Sequence, residues 1–581
     1  MAKFYTDEKN ALILISLLKA HGIRKVVASP GATNVSFVGS IQNDNFFQVY
    51  SSVDERSAAY IACGLAYESQ EPVIISCTGA TASRNYLPGL TEAYYRKLPI
   101  LAITSSQIVS RVGHNVPQVI DRSQIPRDVA KFSTTLPVVK DKDDEWDCMI
   151  KVNSALLELT RSGGGPVHIN LPTVFSQKFE TERLPISRVI NRYTYKHKFP
   201  DLNERVAIFV GSHKPFSESE TAIIDEFCAI YDAVVFCDHT SGYSGKYKVL
   251  YSLVGSQDML SSANDKPDIL IHLGEISGDY SSISIVGPEI WRVSEDGEIR
   301  DPYRRLKNVF EVDESYFFSQ YTQGMETQKR TDYLDSLRFK LNSIKSKIPE
   351  LPFSNIWVAS KLSQVLPANS VIHFGILNSL RSWNFFELPD SVESTANVGG
   401  FGIDGGLSSL VGASLHDSSK LYFIAIGDLA FFYDMNVLGN RHVPSNIRIL
   451  LINNGKGTEF RQYNHSAAHF AEEADRFISA AGHFGKQSRS LVKNYVEDLG
   501  FKYMSANNKD EFYDVYTIFV NRDEQCRPIV FEVFTDSDDE SNALELIRSI
   551  KNESGKVARN MAKRLVGEVG VKSIRRILKK T

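Results

Sequence analysis

The strongest chemical signal in the sequence is a set of polar residues that follow two apolar runs. One run ends at Gly427-Asp428, and 24 residues separate Asp428 from the pair Asn453-Asn454, which ends the next run. Because the carboxyl ends of parallel strands form the ligand-binding edge of an α/β sheet, we expect these side chains to lie close together. Carboxylate and amide oxygens suit Mg²⁺, and phosphate oxygens would complete its octahedral set. The alternative is an ordinary strand–turn–helix in which Asp428 caps a helix.

A second acidic pair lies where an apolar strand gives way to an alanine-rich helix, in Val53-Asp54-Glu55-Arg56-Ser57-Ala58-Ala59-Tyr60. The simple interpretation is that Asp54 or Glu55 caps this helix. Together with Gly427-Asp428-Leu429 and Asn453-Asn454, however, the arrangement resembles the thiamine diphosphate enzymes. In that family a Glu at this place hydrogen-bonds the pyrimidine ring of the cofactor and promotes activation of its reactive carbon. The resemblance assigns this catalytic role to Glu55, and the role requires a buried carboxyl with an adjusted pKa.

Further segments narrow the resemblance to one branch of that family, the menaquinone-pathway synthases of 2-succinyl-5-enolpyruvyl-6-hydroxy-3-cyclohexene-1-carboxylate. The match covers about residues 5–540, in order and at similar spacing. The matching segments are Ala28-Ser-Pro-Gly31, Asp54–Ala59, Gly165-Pro-Val-His-Ile-Asn-Leu-Pro172, Gly402-Ile-Asp-Gly405 and Gly427-Asp-Leu429. Leu429, where the wider family has glycine, is itself typical of this branch.

The resemblance implies a set of residues that bind the cofactor and its metal. Asp428 and Asn454 match the Mg²⁺ ligands, with the carbonyl of Lys456 as the third protein oxygen. Gly427 and Leu429 belong to the same diphosphate-binding motif. Ile403 matches the apolar residue that lies under the bent cofactor, although an isolated Ile would otherwise be interpreted as core packing.

The resemblance also implies residues that contact the substrate. Gln118 matches a catalytic amide near the reactive carbon, and Ser379 matches a serine that faces the group derived from the donor. Thr33 occupies a substrate position where these synthases have an arginine.

Most of the family's carboxylate-binding arginines are missing. Besides Thr33, the expected positions hold Gln107, Trp383 and Val398, with Arg381 as the one nearby replacement. Each charge-assisted pair contributes about 1.5–3 kcal/mol, so losing most of them weakens binding of a polyacid strongly. The cofactor-binding residues are therefore kept, whereas the acid-binding residues are not.

The sequence thus predicts a thiamine diphosphate- and Mg²⁺-dependent lyase or transferase. It would decarboxylate a 2-oxo acid and release an aldehyde, or pass the acyl unit to an acceptor such as an aldehyde or a sugar derivative. One alternative is the menaquinone-pathway synthase itself, acting on 2-oxoglutarate and isochorismate through displaced basic residues such as Arg84, Arg111 or Arg381. A second alternative is a binding protein of the same fold without turnover. The family implies a homodimer or homotetramer, with each active site shared between two subunits.

The elements that must position these residues follow from composition and pattern. The 581 residues, 43% hydrophobic and 23% charged, predict three or four globular units rather than disorder. A net charge of −4 does not favour nucleic acid as a partner. Six scattered cysteines indicate reduced thiols. No apolar run of membrane-spanning length occurs, and the expected location is the cytoplasm.

Short β-branched runs alternate with helical patterns, which predicts an α/β fold of three doubly wound parallel-sheet domains. We place the pyrimidine-binding domain at residues 1–187, a central domain at 188–347 and the diphosphate-binding domain at 348–545. Residues 546–581 form a basic tail with apolar residues at helical spacing. This tail is interpreted either as a helix that contacts an anionic membrane surface or a partner, or as a solvated helix docked on its own protein.

Overall fold

The computed structural model describes residues 4–122, 125–257, 265–326, 330–482, 488–524 and 526–550. Residues 551–581, which hold most of the predicted basic tail, lie outside this description. The chain divides into two compact units, residues 1–197 with 296–311 and residues 198–295 with 312–581. The domain boundaries at 187, 347 and 545 stay a prediction.

The elements alternate between strands and helices along the chain. The strands are β1 Lys25–Ala28, β2 Gln48–Ser51, β3 Val73–Cys77, β4 Ile100–Gln107, β5 Phe132–Thr135, β6 Val167–Thr173, β7 Asn191–Thr194, β8 Val206–Val210, β9 Val234–Cys237, β10 Lys248–Leu250, β11 Ile269–Leu273, β12 Glu289–Val293, β13 Leu306–Glu311, β14 Ser370–Phe374, β15 Glu393–Ala396, β16 Leu421–Gly427, β17 Ile447–Asn453, β18 Lys502–Ala506 and β19 Ile529–Phe534. The α-helices are α1 Lys9–Ala20, α2 Val35–Ile41, α3 Glu55–Ser69, α4 Thr81–Asn85, α5 Leu87–Tyr95, α6 Lys142–Glu158, α7 Glu218–Tyr231, α8 Ser252–Ser256, α9 Glu314–Thr322, α10 Asp332–Lys345, α11 Asn355–Leu362, α12 Asn378–Trp383, α13 Gly406–Ser414, α14 Asp428–Asp434, α15 Leu491–Asp498, α16 Lys509–Val520 and α17 Ser537–Arg548.

The first unit is built on a parallel sheet with strand order β2-β1-β3-β4-β6-β5. Its central strands β1 and β3 are buried on both faces. Val26 and Ile74 belong to one buried cluster with helices α1 and α6, whereas Val27 and Ile75 belong to another with α3 and α5. Because successive side chains of a strand point to opposite faces, this alternation shows that helices cover both sides of the sheet. The same unit also holds the parallel pair β13 and β7.

The second unit contains two sets of parallel strands. The strands β10-β9-β8-β11-β12 are neighbours in that order, and a six-stranded sheet has the order β15-β14-β16-β17-β19-β18. In the latter sheet Gly427 pairs with Ile452, which places the carboxyl ends of β16 and β17 side by side. These parallel sheets with alternating helices confirm the predicted α/β class. None of the described helices is long and apolar enough to cross a membrane.

Candidate functional site

The carboxyl edge formed by β16 and β17 brings together the residues of the strongest sequence motif. Asp428 is 3% exposed and Asn454 is 5% exposed. One carboxylate oxygen of Asp428 accepts the backbone N–H of Leu429 at 2.8 Å, and the other accepts that of Gly455 at 2.5 Å. The loop after β17 therefore fixes the orientation of the Asp428 carboxylate, and this cross-strand bond explains the spacing between the two motifs.

The residues around Asp428 fit a magnesium-bound diphosphate. A Cβ placed on Gly427 would meet no atom within 4 Å, so the end of β16 leaves room for a ligand. The Lys456 carbonyl accepts the N–H of Thr458 at 2.9 Å, while the Lys456 ammonium pairs with Asp475 at 2.6 Å. In the described part of the chain no cluster of three or more His, Cys, Asp or Glu residues has metal-site geometry. That agrees with a donor set of one carboxylate, one amide and one carbonyl, which suits Mg²⁺.

Glu532 is a buried acid at this edge that the sequence analysis missed. It lies on β19, 1% exposed, and accepts hydrogen bonds from Asn453 Nδ2 at 2.6 Å and the Tyr503 hydroxyl at 2.8 Å. Burial raises the pKa of Glu532 to about 6, and the nearby Asp428 charge adds to the rise. The sequence contains one feature that points to Glu532, which is a single Glu inside the apolar run Ile529–Phe534. Such a residue is notable because an acid within a buried strand needs dedicated hydrogen-bond partners.

Helix α3 separates the roles of the two neighbouring acids at its start. Asp54 is the N-cap, and its side chain accepts the backbone N–H groups of Arg56 at 2.9 Å and Ser57 at 3.3 Å. Glu55 is the first helical residue and is half-buried. Capping by Asp54 leaves the helix start independent of the Glu55 carboxylate, so capping does not account for Glu55.

Thr33 and Gln118 both lie beside the loop that follows β3, Thr33 at Thr78 and Gln118 at Gly79. Thr33 is buried; its hydroxyl lies 2.6 Å from that of Thr78 and donates to the Ser105 carbonyl at 3.0 Å. Gln118 is exposed and has a positive φ of 63°. A Cβ placed on Gly79 would lie 3.2 Å from the Gln118 carbonyl and 3.3 Å from that of Ser105. Gly79 thus permits the close approach that brings these segments together.

The two remaining site candidates differ in their exposure. Ile403 lies in a loop before α13 and is 36% exposed, so the interpretation as a core residue is wrong. Ser379 is 4% exposed at the start of α12, which follows Leu377 with its positive φ of 61°. An exposed apolar side chain in a glycine-rich loop is the arrangement expected of a residue that contacts a bound cofactor.

The positions of the missing arginines are uncharged, and all but the half-buried Gln107, which accepts a hydrogen bond from Arg111, are buried. Trp383 is 1% exposed and Val398 is 3% exposed. The nearby Arg381 pairs with Glu459 through both ends of its guanidinium, at 3.0 and 2.5 Å. This pair holds the pKa of Glu459 below its usual value despite burial. Arg381 is therefore already neutralised by a carboxylate of the same unit.

Comparison with known proteins assigns the chain to a family. Residues 9–125 match the family model described as thiamine pyrophosphate enzyme, N-terminal TPP binding domain. The chain is 32% identical to a 2-succinyl-5-enolpyruvyl-6-hydroxy-3-cyclohexene-1-carboxylate synthase of Phocaeicola vulgatus, over 95% of this chain and 100% of that protein. Proteins of the same name from Bacteroides fragilis and Bacteroides thetaiotaomicron are each 31% identical, over 93% of this chain and 98% of theirs.

Proposed function

Since the chain belongs to the thiamine diphosphate enzyme family, in the branch of the 2-succinyl-5-enolpyruvyl-6-hydroxy-3-cyclohexene-1-carboxylate synthases, we propose that it decarboxylates a 2-oxo acid and transfers the acyl unit to an acceptor. The observation that carries this proposal is the paired edge of β16 and β17, where Asp428 and Asn454 lie within a chain similar to these synthases over 95% of its length. Thiamine diphosphate supplies the electron sink that makes loss of CO₂ from a 2-oxo acid feasible.

The protein's own residues bind and orient the reactants. Asp428, Asn454 and the Lys456 carbonyl would hold Mg²⁺ and, through it, the diphosphate. Glu55 would share a proton with the pyrimidine ring, and Ile403 would support the cofactor from its apolar side. Gln118 and Ser379 would contact the substrate, since amide and hydroxyl groups orient a carbonyl without adding charge.

The first candidate for the substrates comes from the names of the relatives. A succinyl group attached to a cyclohexene carboxylate implies 2-oxoglutarate as the donor and isochorismate as the acceptor. Identity of 31–32% over more than nine-tenths of the chain supports this candidate. In that case Arg84 or Arg111, which both lie exposed in the first unit, would replace the missing arginines.

A second candidate is supported by the packing at the expected arginine positions. Thr33, Trp383 and Val398 are buried and uncharged, and Arg381 is paired with Glu459. An acceptor with fewer carboxylates, such as an aldehyde or a sugar derivative, needs fewer cationic contacts than isochorismate does.

One assay tests the reaction and distinguishes the candidates. Protein loaded with thiamine diphosphate and Mg²⁺ is given a panel of 2-oxo acids, and CO₂ release is measured with isochorismate, with aldehydes or alone. Release only with 2-oxoglutarate and isochorismate together supports the first candidate, whereas release with neutral acceptors supports the second. Cofactor-loaded protein that is inert toward the whole panel contradicts the proposed function.

We also propose a homo-oligomer in which two subunits share each site. Large apolar side chains on α3 and α5 support this, since Ile61, Tyr67 and Tyr95 are 48%, 53% and 70% exposed in the first unit. Glu55→Gln and Asp428→Asn variants, inactive alone, are dissociated, mixed and reassociated. If each site is shared, a mixed dimer has one site with both mutations and one site with neither. Since about half of the dimers in an equal mixture are mixed, the mixture should recover about a quarter of the wild-type activity. No recovery in verified mixed dimers would contradict sharing.

A further inference from the structure

A cavity of about 580 Å³ in the second unit lies along the edge strand β10. Its volume falls within the range of about 300–1,000 Å³ typical of small-molecule sites. The loop 238–247, which connects β9 to β10, forms one wall and α10 forms another. His239, which follows β9, lines one part of the cavity, and Lys246 and Lys248, at the amino end of β10, line another.

Besides Lys345, which pairs with Glu387, three cationic side chains line this cavity. Lys246 lies in the turn before β10 and Lys248 is the first residue of that strand, whereas Tyr247 between them is 8% exposed. Arg338 comes from α10, and its Nη2 donates to the Lys246 carbonyl at 2.7 Å. Within the described residues none of these three cations lies within ion-pair distance of a carboxylate.

The loop that carries Lys246 is held in place by its own contacts. The Lys246 backbone N–H donates to both carboxylate oxygens of Asp225, at 3.2 and 3.3 Å, and the Tyr243 hydroxyl donates to the same carboxylate at 2.5 Å. A Cβ at Gly245 would collide with the Tyr243 hydroxyl. The backbone that carries Lys246 is therefore held in place beside the cavity.

The facing wall is acidic and hydrogen-bonding. Glu387 pairs with Lys345 at 2.8 Å, and Asp390 lies exposed beside it. His239 completes the wall; its Nε2 lies 3.0 Å from the Trp383 and Phe386 carbonyls. Burial lowers the pKa of His239 to about 4, so its ring adds no charge at neutral pH. Carboxylates of this kind accept hydrogen bonds from hydroxyl groups of a ligand.

We propose that this cavity binds a phosphate ester of a hydroxylated molecule, a sugar phosphate or a nucleotide, with the phosphate on Lys246, Lys248 and Arg338. A phosphate carries about −1.5 to −2 charge at pH 7 and therefore matches a cluster of unpaired cations better than a single carboxylate does. The Arg338 guanidinium offers a planar fork for two phosphate oxygens. The hydroxyl groups of the ester face Glu387 and Asp390.

The test measures binding by calorimetry on protein saturated with thiamine diphosphate and Mg²⁺, titrated with glucose 6-phosphate, ADP, inorganic phosphate, glucose and adenosine. We expect one of the two esters to bind saturably. Its affinity should exceed that of inorganic phosphate, and the unphosphorylated compounds should not bind. Tighter binding of ADP identifies the nucleotide, and tighter binding of glucose 6-phosphate identifies the sugar.

Two variants locate the site. Lys246→Gln/Lys248→Gln should weaken ester binding about tenfold or more, since it removes two charge-assisted contacts to the phosphate. Lys142→Gln/Lys493→Gln, at two exposed lysines away from the cavity, serves as the control for loss of two positive charges and should leave the affinity unchanged. Wild-type affinity in the double variant, binding that disappears in Asp428→Asn, equal affinity for inorganic phosphate, or no binding at all would each overturn the proposal. The titration does not depend on turnover, so its outcome is separate from that of the proposed reaction.

Discussion

Replacing Glu540 by Gln should remove a pH-dependent loss of stability. Glu540 lies on α17, is 1% exposed, and its Oε1 accepts the backbone N–H of Asn355 at 2.9 Å and the Thr535 hydroxyl at 2.8 Å. Burial raises the pKa of Glu540 from 4.5 to about 7, although its hydrogen bonds act in the opposite direction. The folded protein therefore favours the neutral carboxyl.

The sign and size of the effect follow from this shift. A raised folded-state pKa gives stability that is complete below pH 4.5 and is lost as pH rises through about 7. A difference of about 2.5 pKa units corresponds to about 3 kcal/mol at most. Gln cannot ionise and retains an Oε1 acceptor for both hydrogen bonds. Relative to the wild type, E540Q should thus gain about 2.5 kcal/mol between pH 5 and pH 8.5, because part of the loss has already occurred at pH 5.

Urea unfolding of both proteins at fixed ionic strength, at half-unit pH steps, measures this difference. Glu545→Gln, a half-buried position on the same helix, is the control for removing one carboxylate. A difference between E540Q and wild type that stays flat across this range would refute the argument. So would an equal pH dependence in the control, because the effect would then not depend on burial of Glu540.

Three further predictions concern the cofactor site and a helix start. Glu55→Gln should leave cofactor binding largely intact but remove most turnover; unchanged CO₂ release would refute its role. Asp428→Asn should weaken Mg²⁺-dependent cofactor binding at least tenfold, about 1.4 kcal/mol, measured by titration at several Mg²⁺ concentrations, and equal affinity would exclude it as a ligand. Ser217→Ala removes a capping box with Glu220 and should destabilise the protein by about 1 kcal/mol in urea unfolding, whereas Ser219→Ala should not.

The central strands could be predicted from the sequence because burial on both faces leaves a continuous apolar run. Val73–Cys77 and Val206–Val210 have the bounds that the apolar runs indicate. Edge strands lack this pattern. All four residues of β2 are exposed, and β7 lies inside a stretch, residues 177–197, that is rich in polar and charged residues. Such strands are set by pairing with a neighbour, which no local pattern records.

The candidate site shows the same division between local and tertiary information. The meeting of Asp428 with the loop after β17 was predictable, because strand ends of adjacent parallel strands share one edge. The environment of Glu532 was not, because Asn453 and Tyr503 reach it only through the registers of β17 and β18 with β19. Likewise, the pairing of Arg381 with Glu459 joins residues 78 positions apart.

The capping of α3 by Asp54 has a consequence for how this enzyme tolerates change. Adjacent positions divide two duties, since residue 54 secures the backbone and leaves residue 55 for the proposed proton sharing. We therefore expect position 55 to accept Gln, Asp or Ala with an intact scaffold. Under the proposed role of Glu55, a lost rate in such a series would report on proton sharing rather than on misfolding, so this helix start would separate architecture from reactivity.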